Sequence, residues 1–196
     1  MILLPACTSI QKVAVDEPER LRLYETKSEQ LLGFSSWIMA GRLAVSNSKD
    51  GGSGTFSWEK NASDSQMNFH GALGRGAWRM VADVGGAELE FADGTIHRAS
   101  SIDELARLQL GWEIPVDNLS WWVRGLVAPG QFRERMIDEG GNLSGFLQDG
   151  WTIEYGRYRT VDGVSLPVKL TAHQANWKVK LAIRNWKLLK DRDSNE

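Results

Sequence analysis

From about residue 35 onward, apolar residues recur at every second position in short runs, and glycine, aspartate and asparagine cut the runs apart. Trp37, Met39, Leu43 and Val45 share one parity. Phe56 and Trp58 repeat it after Gly51-Gly52, then Met67 and Phe69, then Trp78, Met80 and Ala82, then Ala87, Leu89 and Phe91. A period of two puts each set on one face of a strand. Asp93-Gly94 is a tight hairpin signal. The pattern resumes later, at Phe146 to Gln148, at Trp151, Ile153 and Tyr155, and at Leu166, Val168 and Leu170. The last run is the clearest: Trp177, Val179, Leu181 and Ile183 face one way, and Lys178, Lys180 and Arg184 the other. Short alternating strands joined by turns make an antiparallel meander, about six strands before the interruption and five after it. A long meander with one apolar face curls into a barrel or half-barrel.

The interruption is helical. Ser101-Ile102-Asp103-Glu104 is a capping box that opens a helix to about Leu110, and Gly111 closes it. Pro115 starts a second helix through Trp121 and Trp122, ending at Gly125. A further helix precedes the strands. Asp16 caps it, with Pro18, Glu17 and Glu19 in its first turn, and Gly33 ends it. Leu21, Tyr24, Ser28, Leu31 and Leu32 form its apolar face. These helices have no second sheet to cover, so they lid or plug the barrel.

At 196 residues, 42% hydrophobic and with net charge -2, the chain is one soluble-type domain with a substantial core. No run approaches the roughly 20 apolar residues of a membrane-spanning helix. The charge balance gives no basic footprint for nucleic acid. Nine tryptophans imply a large apolar surface to be filled or lined.

Catalytic constellations are missing. His70, His97 and His173 are far apart and none has a partner at metal-ligand spacing. There is no nucleophile elbow, and the acids Asp103 and Glu104 are explained by capping. Gly71-Ala-Leu-Gly-Arg-Gly76 lacks the Gly-Lys-Ser/Thr ending of a phosphate loop and precedes a strand. No enzyme activity, cofactor or metal is expected. That segment does place Leu73 beside Gly74 and Arg75 at the tip of a strand connection. An apolar tip next to a cation suits an anionic lipid interface, and a leucine folded back on the core is the alternative.

The single cysteine, Cys7, follows Leu4-Pro5-Ala6, a Leu-x-small-Cys order like a bacterial lipoprotein cleavage site. Lipidation would make Cys7 the mature N-terminus, with the polar stretch 8–15 as tether. The alternative is a buried thiol.

Several segments together resemble the LolB family of outer-membrane lipoproteins. The most specific is Gly111-Trp-Glu-Ile-Pro115-Val-Asp-Asn-Leu119-Ser-Trp-Trp122-Val-Arg-Gly125-Leu126, similar to the family's G-x-x-I-P-x-x-x-L-x-x-W-I-x-G-L-P stretch. Trp151-Thr-Ile-Glu-Tyr155-Gly-Arg-Tyr158, Pro167-Val-Lys-Leu170 and Asn185-Trp186-Lys-Leu188 follow in order. Ala72-Leu73-Gly74 matches a Pro-Leu-Gly loop with alanine for proline, and Cys7 matches the lipidated cysteine.

The resemblance implies a mainly β fold: an antiparallel, unclosed β-barrel of about 11 strands whose helices form a lid over an apolar cavity. It divides the chain into a residual signal and tether (1–15), a half-barrel domain (16–188) and a polar tail (189–196). It implies a monomer, facing the periplasm and lipid-anchored at Cys7. That monomer takes acylated lipoproteins from a LolA-like periplasmic carrier and inserts them into the inner leaflet of the outer membrane without ATP. Leu73, Gly74 and Arg75 would form the membrane-insertion loop. The strand faces offer Trp37, Met39, Phe56, Trp58, Met67, Trp78, Met80, Trp151, Val179 and Leu181 as cavity lining, with Leu119 and Trp122 on the lid. Plain core packing is the alternative for each. A soluble LolA-like carrier or a general lipid-binding module is the second functional expectation.

Overall fold

A computed structural model describes residues 17–72 and 76–189. Cys7, Asp16 and the rest of the first 16 residues, the loop residues Leu73, Gly74 and Arg75, and the tail from residue 190 lie outside the described residues.

Helix α1 (Glu17–Leu32) leads into strands β1 (Ser36–Ser46), β2 (Gly51–Asn61), β3 (Asp64–Gly71), β4 (Trp78–Asp83), β5 (Gly86–Phe91) and β6 (Ile96–Ala99). Helices α2 (Ile102–Leu110) and α3 (Val116–Trp122) intervene. Strands β7 (Phe132–Ile137), β8 (Leu143–Gln148), β9 (Trp151–Val161), β10 (Val164–Gln174) and β11 (Trp177–Leu189) complete the chain. The six-plus-five strand count and the two central helices match the sequence pattern.

All eleven strands form one antiparallel sheet in the order β6-β5-β4-β3-β2-β1-β11-β10-β9-β8-β7. Two meanders are joined where the first strand pairs with the last, Trp37 opposite Leu188 and Val45 opposite Val179. The outer strands β6 and β7 do not pair, so the barrel stays unclosed. The chain leaving one free edge at Ala99 must reach the other at Phe132. It carries α2 and α3 across the concave face on the way, which is why they sit there as a lid.

The concave face holds the core. Trp37, Met39, Leu43 and Val45 of β1 are all buried, as the alternation requires. On β11 the buried set changes parity, from Val179, Leu181 and Ile183 to Trp186 and Leu188. A register shift causes it: Ala40 pairs with Asn185 but Gly41 with Ile183, leaving Arg184 without an opposite residue. Gly41 is required there, because a Cβ would overlap the carbonyl oxygen of Ala182. Trp177, grouped with the buried face in the sequence, is partly exposed at the strand's start.

Helix α1 buries Tyr24 and Leu31, but Leu32 is 54% exposed and does not belong to the docking face. The helix turns off at Gly33, whose N–H donates to Glu29 O, and Phe34 N–H donates to Leu31 O. Lys27 Nζ donates to Asn142 Oδ1 (2.8 Å), and the Arg135 guanidinium lies 5.1 Å from the Tyr24 ring centre, so α1 rests against β7 and the turn that follows it.

Candidate acyl-chain cavity beneath the lid

The concave face is floored by a run of aromatic rings. Trp186, Trp37, Trp58, Phe56 and Trp78 follow one another at centroid spacings of 5.6, 5.2, 6.3 and 6.4 Å, mostly edge to face. Phe69 stacks on Trp78 at 5.6 Å, and Trp112, from the connection between α2 and α3, meets Trp78 edge-on at 5.7 Å.

The lid is built by local rules. Ser101 is the N-cap of α2, and its Oγ accepts the Glu104 N–H at 3.2 Å. The Glu104 carboxylate reaches back to the N–H (3.1 Å) and hydroxyl (2.6 Å) of Ser100, one residue beyond the usual capping-box partner. Gly111, at φ 65°, ends the helix in the left-handed region, and the Trp112 N–H donates to Ala106 O at 3.1 Å. That reversal turns Trp112 back over the sheet. The N-cap of α3 is Pro115, which has no side-chain acceptor, so the cap comes from the neighbouring helix. Asp103 Oδ1 accepts the Val116 N–H at 2.5 Å. Burial, and then the charge of Asp117, push the Asp103 carboxyl above the usual aspartate range.

The far end of the lid is pinned to the barrel. Trp122 is fully buried and donates from Nε1 to Gln148 Oε1 (2.9 Å). Gln148 also receives the Ala128 N–H (3.0 Å) and donates to Ala128 O (2.7 Å), so its buried amide is well satisfied. Tyr155 OH donates to Trp122 O at 2.8 Å. Arg124 is buried, donates to Phe34 O and Ser120 O (both 3.2 Å), and lies over Trp121. Burial draws its pKa down to about 10, which still leaves it charged at neutral pH.

Between sheet and lid lies an enclosed, entirely apolar cavity of about 20 Å³. Six sequence-nominated residues line it: Phe56, Met67, Trp78, Met80, Leu119 and Val179. The other six, Trp37, Met39, Trp58, Trp122, Trp151 and Leu181, are buried in the packed interior away from its wall. Sequence reasoning did not nominate Leu43, Val45, Ala106, Trp112, Ile114 and Val116, which complete the lining. The strand parity already contained Leu43 and Val45. Trp112 and Ile114 stand in an aperiodic stretch, where no alternation marks an inward side chain. The cavity admits about one water-sized particle, so no acyl chain fits while the lid is down.

Two polar recesses flank this interior. One of about 150 Å³ shares Val116 with the cavity and is lined by Lys60, Ser65, Ser100, Ser101, Asp117 and Ser120 among others; burial lowers the Lys60 pKa there. A larger one, about 650 Å³, is an open groove along β2 to β6, with Glu59, Asp64, Asp83, Glu88 and Arg98 in its wall. Its polar lining and exposure offer nothing to a hydrocarbon chain. Among the described residues no cluster of His, Cys, Asp or Glu could hold a metal.

The fold defines the class: an unclosed antiparallel barrel with helices closing an apolar hollow. The crystal structure of a LolA superfamily protein from Nitrosomonas europaea is similar in fold, with a TM-score of 0.54 over 88% of this chain and 94% of that one, at 12% identity. Within that class the chain belongs to the LolB family: the profile described as "Outer membrane lipoprotein LolB" matches residues 35–186. Outer-membrane lipoprotein LolB of Pseudomonas paraeruginosa is 34% identical over 187 residues, covering 95% of this chain and 91% of that protein. The Pseudomonas putida protein of the same name is 35% identical over 170 residues, 87% of this chain and 82% of its own length. The chain is thus an outer-membrane lipoprotein of the lipoprotein-localisation system, facing the periplasm.

Proposed function

We propose that this protein accepts acylated lipoproteins from a LolA-type carrier and releases them into the inner leaflet of the outer membrane. It does so by binding alone, without ATP and without catalysis. The observation that carries the proposal is a wholly apolar cavity beneath a helical lid that bridges the two free edges of an open barrel. Exposing an acyl chain of about 15 carbons to water costs on the order of 10 kcal/mol, at ~0.8 kcal/mol per CH₂. Displacing Trp112 and the α2–α3 unit would uncover Phe56, Met67, Trp78 and Met80 as a ready apolar wall. The neighbouring polar recess, reached past Val116, suits the ester and amide groups joining the chains to the cargo polypeptide. Transfer then runs downhill from carrier to receiver to bilayer.

In this proposal Cys7 carries the lipid anchor, and Leu73, Gly74 and Arg75 form the loop that enters the membrane. Binding of a fluorescent fatty acid tests the cavity. The wild-type protein binds it, and Met67→Trp, which fills the space, weakens binding at least tenfold; equal binding by both would refute the site. Leu73→Glu is expected to keep the fold and retain cargo on the protein, and normal delivery by that variant would remove the loop from the mechanism. Mass spectrometry of the mature protein checks Cys7. The shared LolA superfamily fold supports a second reading, a free periplasmic carrier. Fractionation separates the two, because an anchored receiver pellets with outer membrane.

A further inference from the structure

The outer surface of the sheet is not uniform in charge. On the wall made by β9, β10, β11 and β1, eight exposed side chains are cationic: Arg42, Arg157, Arg159, Lys169, Lys178, Lys180, Arg184 and Lys187. Register brings them together. Arg42 opposes Ala182, Ala182 opposes Lys169 and Lys169 opposes Arg157, which sets three cations in one row across four strands. The next row runs Ala44, Lys180, Thr171, Glu154, and the one after it Ser46, Lys178, His173, Thr152. Glu154 is the sole acid in these rows. None of the eight cations forms an ion pair among the described residues. The stretch from Lys178 to Lys187 covers roughly 30 Å at 3.3 Å per residue.

The wall of β2 to β6 is acidic instead. Its exposed charges are Glu59, Asp64, Arg79, Asp83, Glu90 and Arg98, with Arg98 paired to the half-buried Glu88 and Arg79 bonded to Gln66. Net charge on the whole chain is -2, so the basic wall is segregation, not excess.

We propose that the β9–β10–β11–β1 wall rests on anionic phospholipid headgroups and so sets the barrel's orientation on the membrane to which the protein belongs. The inference rests on membership among outer-membrane lipoproteins and is independent of the cavity and of cargo. An acidic protein is the competing occupant, and the composition of the wall argues against it. A protein interface needs apolar anchors at its centre. Among the described residues the large apolar side chains left exposed, Leu32, Val84, Ile96, Leu108, Phe132 and Met136, all lie off this wall. A headgroup layer requires no such anchor and attracts each cation within a Debye length. Tethering to the same membrane makes the contact intramolecular, so a modest surface attraction suffices to hold one orientation.

The test uses the full chain carrying Cys7→Ser, so that acylation does not mask the contact, sedimented with vesicles of phosphatidylcholine alone or with 30% phosphatidylglycerol. At 50 mM NaCl the protein should bind the anionic vesicles about 100-fold better than the neutral ones, and 500 mM NaCl should remove the difference. The variant K178Q/K180Q/R184Q/K187Q should lose at least tenfold of that preference, as should the separate set R42Q/R157Q/K169Q. R79Q/R98Q on the opposite wall should stay within twofold. Equal binding to both vesicle types overturns the proposal, and so does unchanged binding by both patch variants. If vesicle binding shows no anionic preference while the patch variants slow receipt of cargo from the soluble carrier, the wall faces a protein and the membrane reading fails.

Discussion

Two parts of the same aromatic interior are built differently. At one end three indole N–H groups are tied down: Trp58 to Ser65 Oγ at 2.7 Å, Trp186 to Pro167 O at 2.8 Å, Trp122 to Gln148 at 2.9 Å. At the other end Trp78 and Trp112 meet edge-on, and neither indole N–H bonds to a described residue. The first arrangement fixes each ring by packing and direction together. The second holds the lid connection by contact alone, and edge-to-face pairs contribute only about 0.5–1.5 kcal/mol beyond their burial. The tied rings are scaffold, and the untied ones can separate.

Breaking the tied end should cost most. Trp122→Ala removes a fully buried ring and orphans part of the Gln148 amide; we expect a loss of about 3–5 kcal/mol, a fall in melting temperature of roughly 10 °C by calorimetry. Gly41→Ala forces the backbone apart opposite the β11 irregularity and should cost about 2 kcal/mol in urea unfolding. Trp112→Ala should cost less than Trp122→Ala while speeding uptake of a fluorescent fatty acid several-fold; equal destabilisation by the two would erase the distinction between the ends.

The smallest effect belongs to Asp103. Asp103→Ala deletes the cap on α3 and should cost about 1 kcal/mol, with faster amide exchange across α2 and α3. Its pH dependence has a definite sign. A carboxyl whose pKa is raised in the folded state holds its proton to higher pH there than in the unfolded chain. Its contribution to stability therefore grows as pH falls through the folded value toward the ordinary aspartate value, and is lost as pH rises back. Asp103→Asn should flatten that slope, and an unchanged slope would assign the pH dependence to another group.

The sheet was legible because period-two alternation survives along much of it, as in Met67 and Phe69 of β3 and in Val179, Leu181 and Ile183 of β11. The lid helices were legible through Ser101, Gly111 and Pro115, whose conformational demands are local. What stayed hidden depends on pairing. Nothing in the order Ile183-Arg-Asn-Trp186 announces that Arg184 will go unopposed and flip the faces beyond it. The approach of Arg42, Lys169 and Arg157 likewise exists only once register aligns three distant strands. Leu32 looked like part of a docking face because it continues the helical period, yet α1 turns away before it is covered. Half of the nominated cavity residues sit behind the wall, since burial on the concave side does not distinguish lining from filling.

The unpaired outer strands carry a mechanical meaning. A sealed cylinder could widen only by rupturing an entire ladder of backbone bonds. Here β6 and β7 share none, so the sheet can flex apart like a split sleeve and close again with every pairing intact. Room for cargo is obtained by bending, and the peptide α2–α3 strap that spans the slit limits how far it gapes.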